Sequence, residues 1–401
     1  MLPFEPVKGV VKIAVTIEQR AYTAVSLSEL MFLPYDESRT LDRDISALFT
    51  DSLRTKLSAG VDQARIDTLR TRLGQEGNYY LYPQAMEDEL TLAEELLNGG
   101  KSAGVILNGV ESRSSGADSR YQQGGSDLQP LGVAARAGQE ITLYASGIPA
   151  GQKVTLYASQ FNAEASAWRA EIGTVENGRN VLIVPQIGNG TASRGGSLYF
   201  TYSGGSPEGI RLHVRRAVDI PLLDLSRWYG MEEAARRQAI QDYVQQLQSY
   251  VIQIGISGHN KLTQCLNVTE IATPTVLLSL PAAAVLGSAG KSGVEEQVDT
   301  IYNSILAWED VMHICKTTQG IDNTYEKNDM QSRQNIRCMT MFSGAFMYAA
   351  GNHIGIGYGS CGGMVCGRPI SQLKPGARAN ELFGWGIAHE IGHNMDKLGK
   401  A

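Results

Sequence analysis

A change of hydrophobic period near residue 128 constrains this 401-residue chain more than any other feature of its sequence. Before it, apolar residues recur at three- and four-residue spacing. Ile45, Leu48, Phe49, Leu53 and Leu57 form one such series, and Ile66, Leu69 and Leu73 another. That spacing lines one face of a helix. Glu87 to Leu97 predicts a further helix, stopped by Gly99 and Gly100. Residues 7–16 predict a strand. After residue 128 the period becomes two. Gly138-Gln-Glu-Ile-Thr-Leu-Tyr-Ala-Ser146 is nearly repeated as Gly151-Gln-Lys-Val-Thr-Leu-Tyr-Ala-Ser159. Two copies are too few for a solenoid and predict two strands joined by a turn. Val181–Val184, Ser197–Tyr202 and Ile210–Val214 add strands.

The polar, glycine-rich stretch from Ser112 to Asp127 predicts a linker where the period changes. The expected organisation is multidomain α+β: a mostly helical domain over 1–111, a linker over 112–127, a β-sandwich over 128–217, and a mixed α/β lobe over 218–401. In the last, Met231–Ile254 and Val294–Ile314 read as amphipathic helices. Phe346 to Gly363 is too glycine-crowded for a helix and predicts a strand or loop that another chain approaches closely.

Within the last lobe lies Gly384-Trp-Gly-Ile-Ala-His-Glu-Ile-Gly-His-Asn394, which carries His389, Glu390 and His393 as H-E-x-x-H. Residues four apart on a helix share a face, so both imidazoles can reach one metal ion. Neutral imidazole suits Zn2+. Glu390 is placed to take a proton from a metal-activated water. Trp385, Ile387, Ala388, Ile391, Met395 and Leu398 predict burial of this helix, and two buried histidines and an acid need partners. The metzincin continuation is absent, because Asp396 and Gly399 stand where its glycine and histidine would be.

The net charge of −6 gives no reason to expect nucleic acid as a partner. Arg211, Arg215 and Arg216 read as the solvated face of a strand. No apolar run approaches the ~20 residues of a membrane span. The first residues lack the charged and apolar regions of a signal peptide. The sequence holds five cysteines, an odd number. Cys361 and Cys366 can close a small disulfide loop in an exported protein.

Several segments together resemble the enhancin-like, mucin-degrading zinc metallopeptidases (metallopeptidase family sixty). They are Leu131-Gly-Val-Ala-Ala-Arg-Ala-Gly-Gln-Glu-Ile-Thr142, Gly195-Gly-Ser-Leu-Tyr-Phe200, Phe346-Met-Tyr-Ala-Ala-Gly-Asn-His-Ile-Gly355, and Trp385 to Asn394. The resemblance covers roughly residues 120–401. It implies a zincin-like lobe of gluzincin type, with His389 and His393 on zinc and Glu390 as general base. The third ligand would be a glutamate after a spacer as short as eight residues, which places it just past Ala401 and makes this chain a truncated one.

The resemblance further implies a secreted or bacterial cell-surface endopeptidase cutting O-glycosylated, mucin-type proteins. The substrate backbone would be received by strand addition around His353, Gly355 and Tyr358. Tyr348 or Tyr358 can then donate to the oxyanion. The competing expectation is a glycan- or protein-binding adhesin whose peptidase lobe is inert, with the non-catalytic portion doing the binding.

Overall fold

The computed structural model describes residues 35–75, 80, 82–100, 105–107, 109–114, 125–161, 168–187, 195–255, 266–318, 333–342, 344–376, 378 and 380–395. The strand expected over 7–16, most of the glycine-rich stretch, Asp396 and Leu398 lie outside these residues. The chain forms two compact units, Met1–Ser102 and Ala103–Ala401.

The first unit contains α1 (Tyr35–Ser46), α2 (Gln63–Leu73) and α3 (Pro83–Leu97). Leu41, Ile45, Ile66, Leu69, Met86 and Leu90 meet in one apolar cluster. The helical periodicity that runs on to Leu57 is overridden after Ser46. The Asp51 carboxylate accepts from the Thr55 and Lys56 amides at 3.1 and 2.9 Å, and Phe49 forms a β-bridge with Leu57. An aspartate that satisfies nearby amides offers the backbone a turn in place of a helix. Helix α3 begins four residues before the predicted start, with Pro83 in its first turn, where a missing N–H costs nothing.

The second unit opens with β1 (Val105–Leu107), β2 (Gln129–Ala135), β3 (Glu140–Ser146), β4 (Val154–Ser159), β5 (Arg169–Val175), β6 (Gly178–Ile183), β7 (Gly196–Thr201), β8 (Arg211–Arg215) and β9 (Val218–Asp219). These form two antiparallel sheets, ordered β1-β8-β3-β6 and β5-β4-β7-β2-β9. Their facing side chains share a core that includes Leu131, Ile141, Leu143, Leu156, Phe200 and Val214. Since β1 pairs with β8, the sheet region begins before the expected boundary at 111.

The near-repeat does not pair with itself. Its first copy enters the four-stranded sheet as β3 and its second the five-stranded sheet as β4. Gly147, between them, has φ +76, and a Cβ there would collide with the Gly209 carbonyl. The connection therefore crosses between sheets where only glycine fits. Of the three arginines expected on a solvated face, Arg211 is exposed and Arg215 is buried. Arg216 pairs with Glu140.

The rest of the unit is built on a mixed sheet, β10-β11-β12-β13-β15-β14. Its strands are β10 (Leu222–Asp224), β11 (Thr269–Ala272), β12 (Val276–Leu280), β13 (Gln334–Cys338), β14 (Met347–Ala349) and β15 (Ile354–Ile356). Helices α4 (Glu233–Ile254), α5 (Ala282–Ala289) and α6 (Val294–Thr318) share one core with this sheet. Tyr243, Leu247 and Tyr250 of α4 and Val298, Ile301, Ile305 and Met312 of α6 are inward, as their spacing predicts, whereas Ala235 is exposed.

Side chains alternate across a strand, so the sheet has two unlike faces. The row Leu223, Ile271, Leu278, Ile336 and Ile354 packs on the helices. The neighbouring row, Glu270, Ser279, Arg337, Gly355 and Tyr348, faces the five-stranded sheet. Glu270 is fully buried there. Its carboxylate accepts from Ser197 at 2.6 Å, Tyr199 at 2.5 Å and Ser279 at 2.8 Å. Burial pushes its pKa up to about 7 from 4.5, against the pull of those hydroxyls and of Arg337.

A raised folded-state pKa means that the native protein keeps a proton which the unfolded chain releases. Glu270 therefore stabilises the fold fully below pH about 4.5 and loses that contribution as pH rises through about 7. Glu270→Gln should remove this dependence. The difference in urea midpoint between wild type and variant should change between pH 4.5 and 7.5, with the variant gaining at the higher pH.

Candidate metal centre

Helix α6 is followed in sequence by β13, β14 and β15. The chain then forms α7 (Tyr358–Cys361), α8 (Asn380–Phe383) and α9 (Trp385–Met395). Gly384, between α8 and α9, has φ +92, a backbone state that L side chains rarely adopt. Phe383 stacks on the buried Trp308 at 4.1 Å between centroids. In α9, Ile387, Ile391 and Met395 lie one turn apart and enter the core shared with the mixed sheet. That stripe turns His389 and His393 to the exposed side. The two Nε2 atoms face each other at 2.9 Å, with the rings nearly perpendicular at 81°. Glu390 is half-buried beside them.

The helix expected to be buried is thus buried on one face only. Trp385 is 61% exposed and stacks on His389, centroids 4.4 Å apart and planes 26° apart. It packs on the first imidazole instead of entering the core. Asn394, the residue after His393, is buried on the inner face. Its amide donates to Gln334 Oε1 at 3.1 Å and its carbonyl oxygen accepts from the Gly351 amide at 3.0 Å. One side chain thereby ties α9 to both β13 and the β14–β15 turn. Asn394 had no assigned role in the sequence reading. Its signal is an amide side chain seven residues after Ile387, on the apolar stripe.

The donor chemistry fits zinc. Two imidazole nitrogens converge on one exposed point, and this ligand type suits a divalent zinc ion at about 2.0–2.1 Å. Among the described residues no third histidine, cysteine, aspartate or glutamate completes a ligand set with them.

The residues expected to receive substrate are placed differently. Strand β15, which holds Gly355, is paired with β13 on one side and β14 on the other. Its backbone has no free edge. Among the described residues the edge strand is β14 (Met347–Ala349), which runs beside α9. A Cβ at Gly386 of α9 would lie 2.9 Å from Phe346 and 3.0 Å from the Met347 sulfur. Glycine there lets the helix approach the edge strand closely.

Gly355 itself is occupied by its own chain, since a Cβ there would collide with the Tyr348 ring. His353 is fully buried, with Nδ1 2.7 Å from Asn352 Oδ1 and Nε2 3.0 Å from Tyr348 Oη. Burial, then Arg337 and Arg169, lowers its pKa to about 3, so it is neutral. Tyr358 is half-buried at the start of α7 and packs on the core shared by helices and sheet. Its pKa is raised by burial and by the Cys361 and Cys338 thiols. Cys361 donates to the Gly357 carbonyl and Cys366 to that of Ser288, and both are free thiols. The anticipated Cys361–Cys366 loop is open.

The fold has counterparts among solved structures. One holds two CBM32 modules and the M60 catalytic domain of Clostridium perfringens ZmpB. It matches at TM-score 0.61 and 20% identity over 90% of this chain and 35% of that one. The M60 catalytic domain of C. perfringens ZmpC, in complex with the sialyl T antigen, matches at TM-score 0.56 and 21% identity over 74% and 53%. A metallopeptidase from Bacteroides thetaiotaomicron matches at TM-score 0.55 and 13% identity over 86% and 49%.

The chain has the fold of the M60 catalytic domains. It spans between about a third and about a half of the length of these structures. No family model and no curated protein matches the sequence. At these identities the M60 likeness is one of fold.

Removing the Asn394 side chain would leave the Gly351 amide without its acceptor and Gln334 without its donor. Asn394→Ala should cost about 1–3 kcal/mol of stability in urea unfolding. His389→Ala, at an exposed position, should stay within about 0.5 kcal/mol.

Proposed function

We propose that this protein is a zinc metalloendopeptidase that cuts O-glycosylated, mucin-type proteins at the outer face of α9. The convergence of His389 and His393 at 2.9 Å between Nε2 atoms, with Glu390 next to them on the same helix, carries this reading. His389 and His393 would hold the ion. A glutamate, as the resemblance implies, would be the third ligand. When bound, zinc supplies Lewis acidity at the scissile carbonyl and lowers the pKa of water to about 7.

Glu390 takes the proton of the attacking water and hands it to the leaving amine, the general acid–base role of a carboxylate held next to the reacting atoms. Trp385 packs on the His389 ring and limits its rotation. The substrate backbone lies antiparallel along the outer side of β14, the edge strand of the sheet among the described residues, where a strand can be added. This replaces the assignment to His353, Gly355 and Tyr358, since His353 is buried, Gly355 is covered by the Tyr348 ring and Tyr358 packs half-buried on the core.

A glycosylated substrate is supported by the ZmpC domain solved with the sialyl T antigen and by a metallopeptidase, at TM-score 0.50, solved in complex with Tn antigen. Secretion or display at a bacterial surface accords with such a substrate. Among the described residues no helix is long and apolar enough to cross a membrane.

The decisive experiment uses the full-length protein. Glu390→Gln should lower cleavage of a mucin-type glycoprotein by about 10²–10⁴-fold. Its zinc content by elemental analysis should match that of wild type, and His389→Ala should lose both zinc and cleavage. Full activity in Glu390→Gln would overturn the mechanism.

A further inference from the structure

Strand β14 is three residues long and, among the described strands, pairs with β15, through Met347↔Ile356, Tyr348↔Gly355 and Ala349↔Ile354. So short an edge has little local stability of its own. Its place beside the metal helix therefore depends on side-chain anchors. On one side Phe346 and Met347 rest against Gly386. On the other side of the sheet the anchor is Tyr348, whose ring lies over Gly355 and whose hydroxyl reaches His353.

The proton arrangement of that anchor follows from its partners. Asn352 Oδ1 can only accept, so His353 Nδ1 carries the hydrogen. Nε2 is then an acceptor, and Tyr348 Oη donates to it. The hydroxyl proton of Tyr348 is committed to His353, which removes Tyr348 as an oxyanion donor. A charged His353 would have no lone pair for it. Burial first, and then the positive charges of Arg337 and Arg169, keep the ring neutral.

Behind His353 stands a residue of another sheet. Trp168, which leads into β5 of the five-stranded sheet, is buried, with its ring 4.9 Å from that of His353. The Arg337 guanidinium sits 4.2 Å over the indole. Gln160 and Phe161, which follow β4 of that sheet, are bonded to the end of β13 and the residues after it. Arg337 Nη2 donates to the Gln160 carbonyl at 3.3 Å, and the Thr340 amide donates to that of Phe161 at 3.0 Å. The Gln160 amide donates to the Trp168 carbonyl at 2.9 Å. A continuous path, Trp168 to His353 to Tyr348, thus runs from the five-stranded sheet to the centre of the edge strand.

We infer that Trp168 is a positioning residue for the substrate: through His353 and Tyr348 it holds β14 at the height at which an added strand meets the metal helix. The inference rests on the reading of β14 as the substrate-receiving edge. It gives the five-stranded sheet a role in peptide alignment, with no contact between Trp168 and substrate. Loss of the path should weaken binding of an extended peptide and leave metal binding and the chemical step nearly unchanged.

The test combines hydrogen exchange with kinetics on the zinc-loaded full-length protein, using Tyr348→Phe, Trp168→Ala and Trp168→Phe. Tyr348→Phe removes one hydroxyl, so it tests the path even where Trp168→Ala fails to fold. Residues 346–350 should exchange about fivefold faster in Tyr348→Phe, the effect of one lost hydrogen bond, and faster still in Trp168→Ala. Residues 387–395 should be unchanged, and Trp168→Phe should restore most of the protection. On an extended O-glycosylated peptide, KM should rise about fivefold in Tyr348→Phe, with kcat within twofold of wild type. Unchanged exchange over 346–350 would overturn the proposal, as would a fall in kcat at constant KM. A wild-type protein that cleaves nothing would sink the peptidase reading, while the exchange arm would still decide whether Trp168 holds β14.

Discussion

Burial of the Ile387–Ile391–Met395 stripe is the constraint on which the site depends. A helix presents its faces in fixed angular relation, so seating that stripe in the core leaves His389 and His393 no direction but outward. The stripe sets rotation, and Asn394 sets depth and tilt by bonding to Gln334 and Gly351. The imidazole pair is thereby held in one arrangement, and the proposed metal site would be spared the ordering entropy that a flexible pair loses on binding. Trp385, stacked on His389, acts in the same direction from outside.

The mixed sheet under this helix is unusual in the contrast between its faces. One is an aliphatic row packed on helices. The other carries Glu270, Ser279 and Arg337 in a line, with Tyr348 at its edge, against the five-stranded sheet. A buried carboxylate is tolerated because three hydroxyls donate to it. Arg337 is less well satisfied: among the described residues its Nε and Nη1 have no hydrogen-bond partner, and the indole face of Trp168 takes part of its charge. Such a polar seam contributes less stability than an apolar one of equal area, yet it admits few alternative registers, because a slip would strand a charge. The five-stranded sheet and the mixed sheet are joined by that seam.

Much of this was legible in the sequence. H-E-x-x-H placed both imidazoles on one helical face, since a four-residue spacing on an α-helix does so whatever surrounds it. The shift from a period of 3.6 to one of two separated helices from strands, and the inward faces of α4 and α6 followed from spacing alone. The errors have two causes, one local and one set by the whole fold. Helical spacing from Ile45 to Leu57 was broken by the Asp51 carboxylate, a local competitor that periodicity ignores. The two near-identical strands looked like partners but belong to facing sheets, because pairing is chosen by the whole fold and not by likeness.

Local chemistry determined what can be read along a chain: the helix carrying His389, Glu390 and His393, the strand-rich middle, and a charge balance that points away from nucleic acid. Which strand is the edge, and therefore where a peptide can add, was decided only in three dimensions. Tyr348 and Gly355 are both in a glycine-rich run, but β13 pairs with β15 and leaves β14 outside. The same holds for His353, which sequence offered to substrate and the fold encloses between Trp168 and Tyr348. Spacing specifies the face on which a side chain lies; what lies opposite that face is set by contacts between residues far apart in the chain, and no local pattern records them.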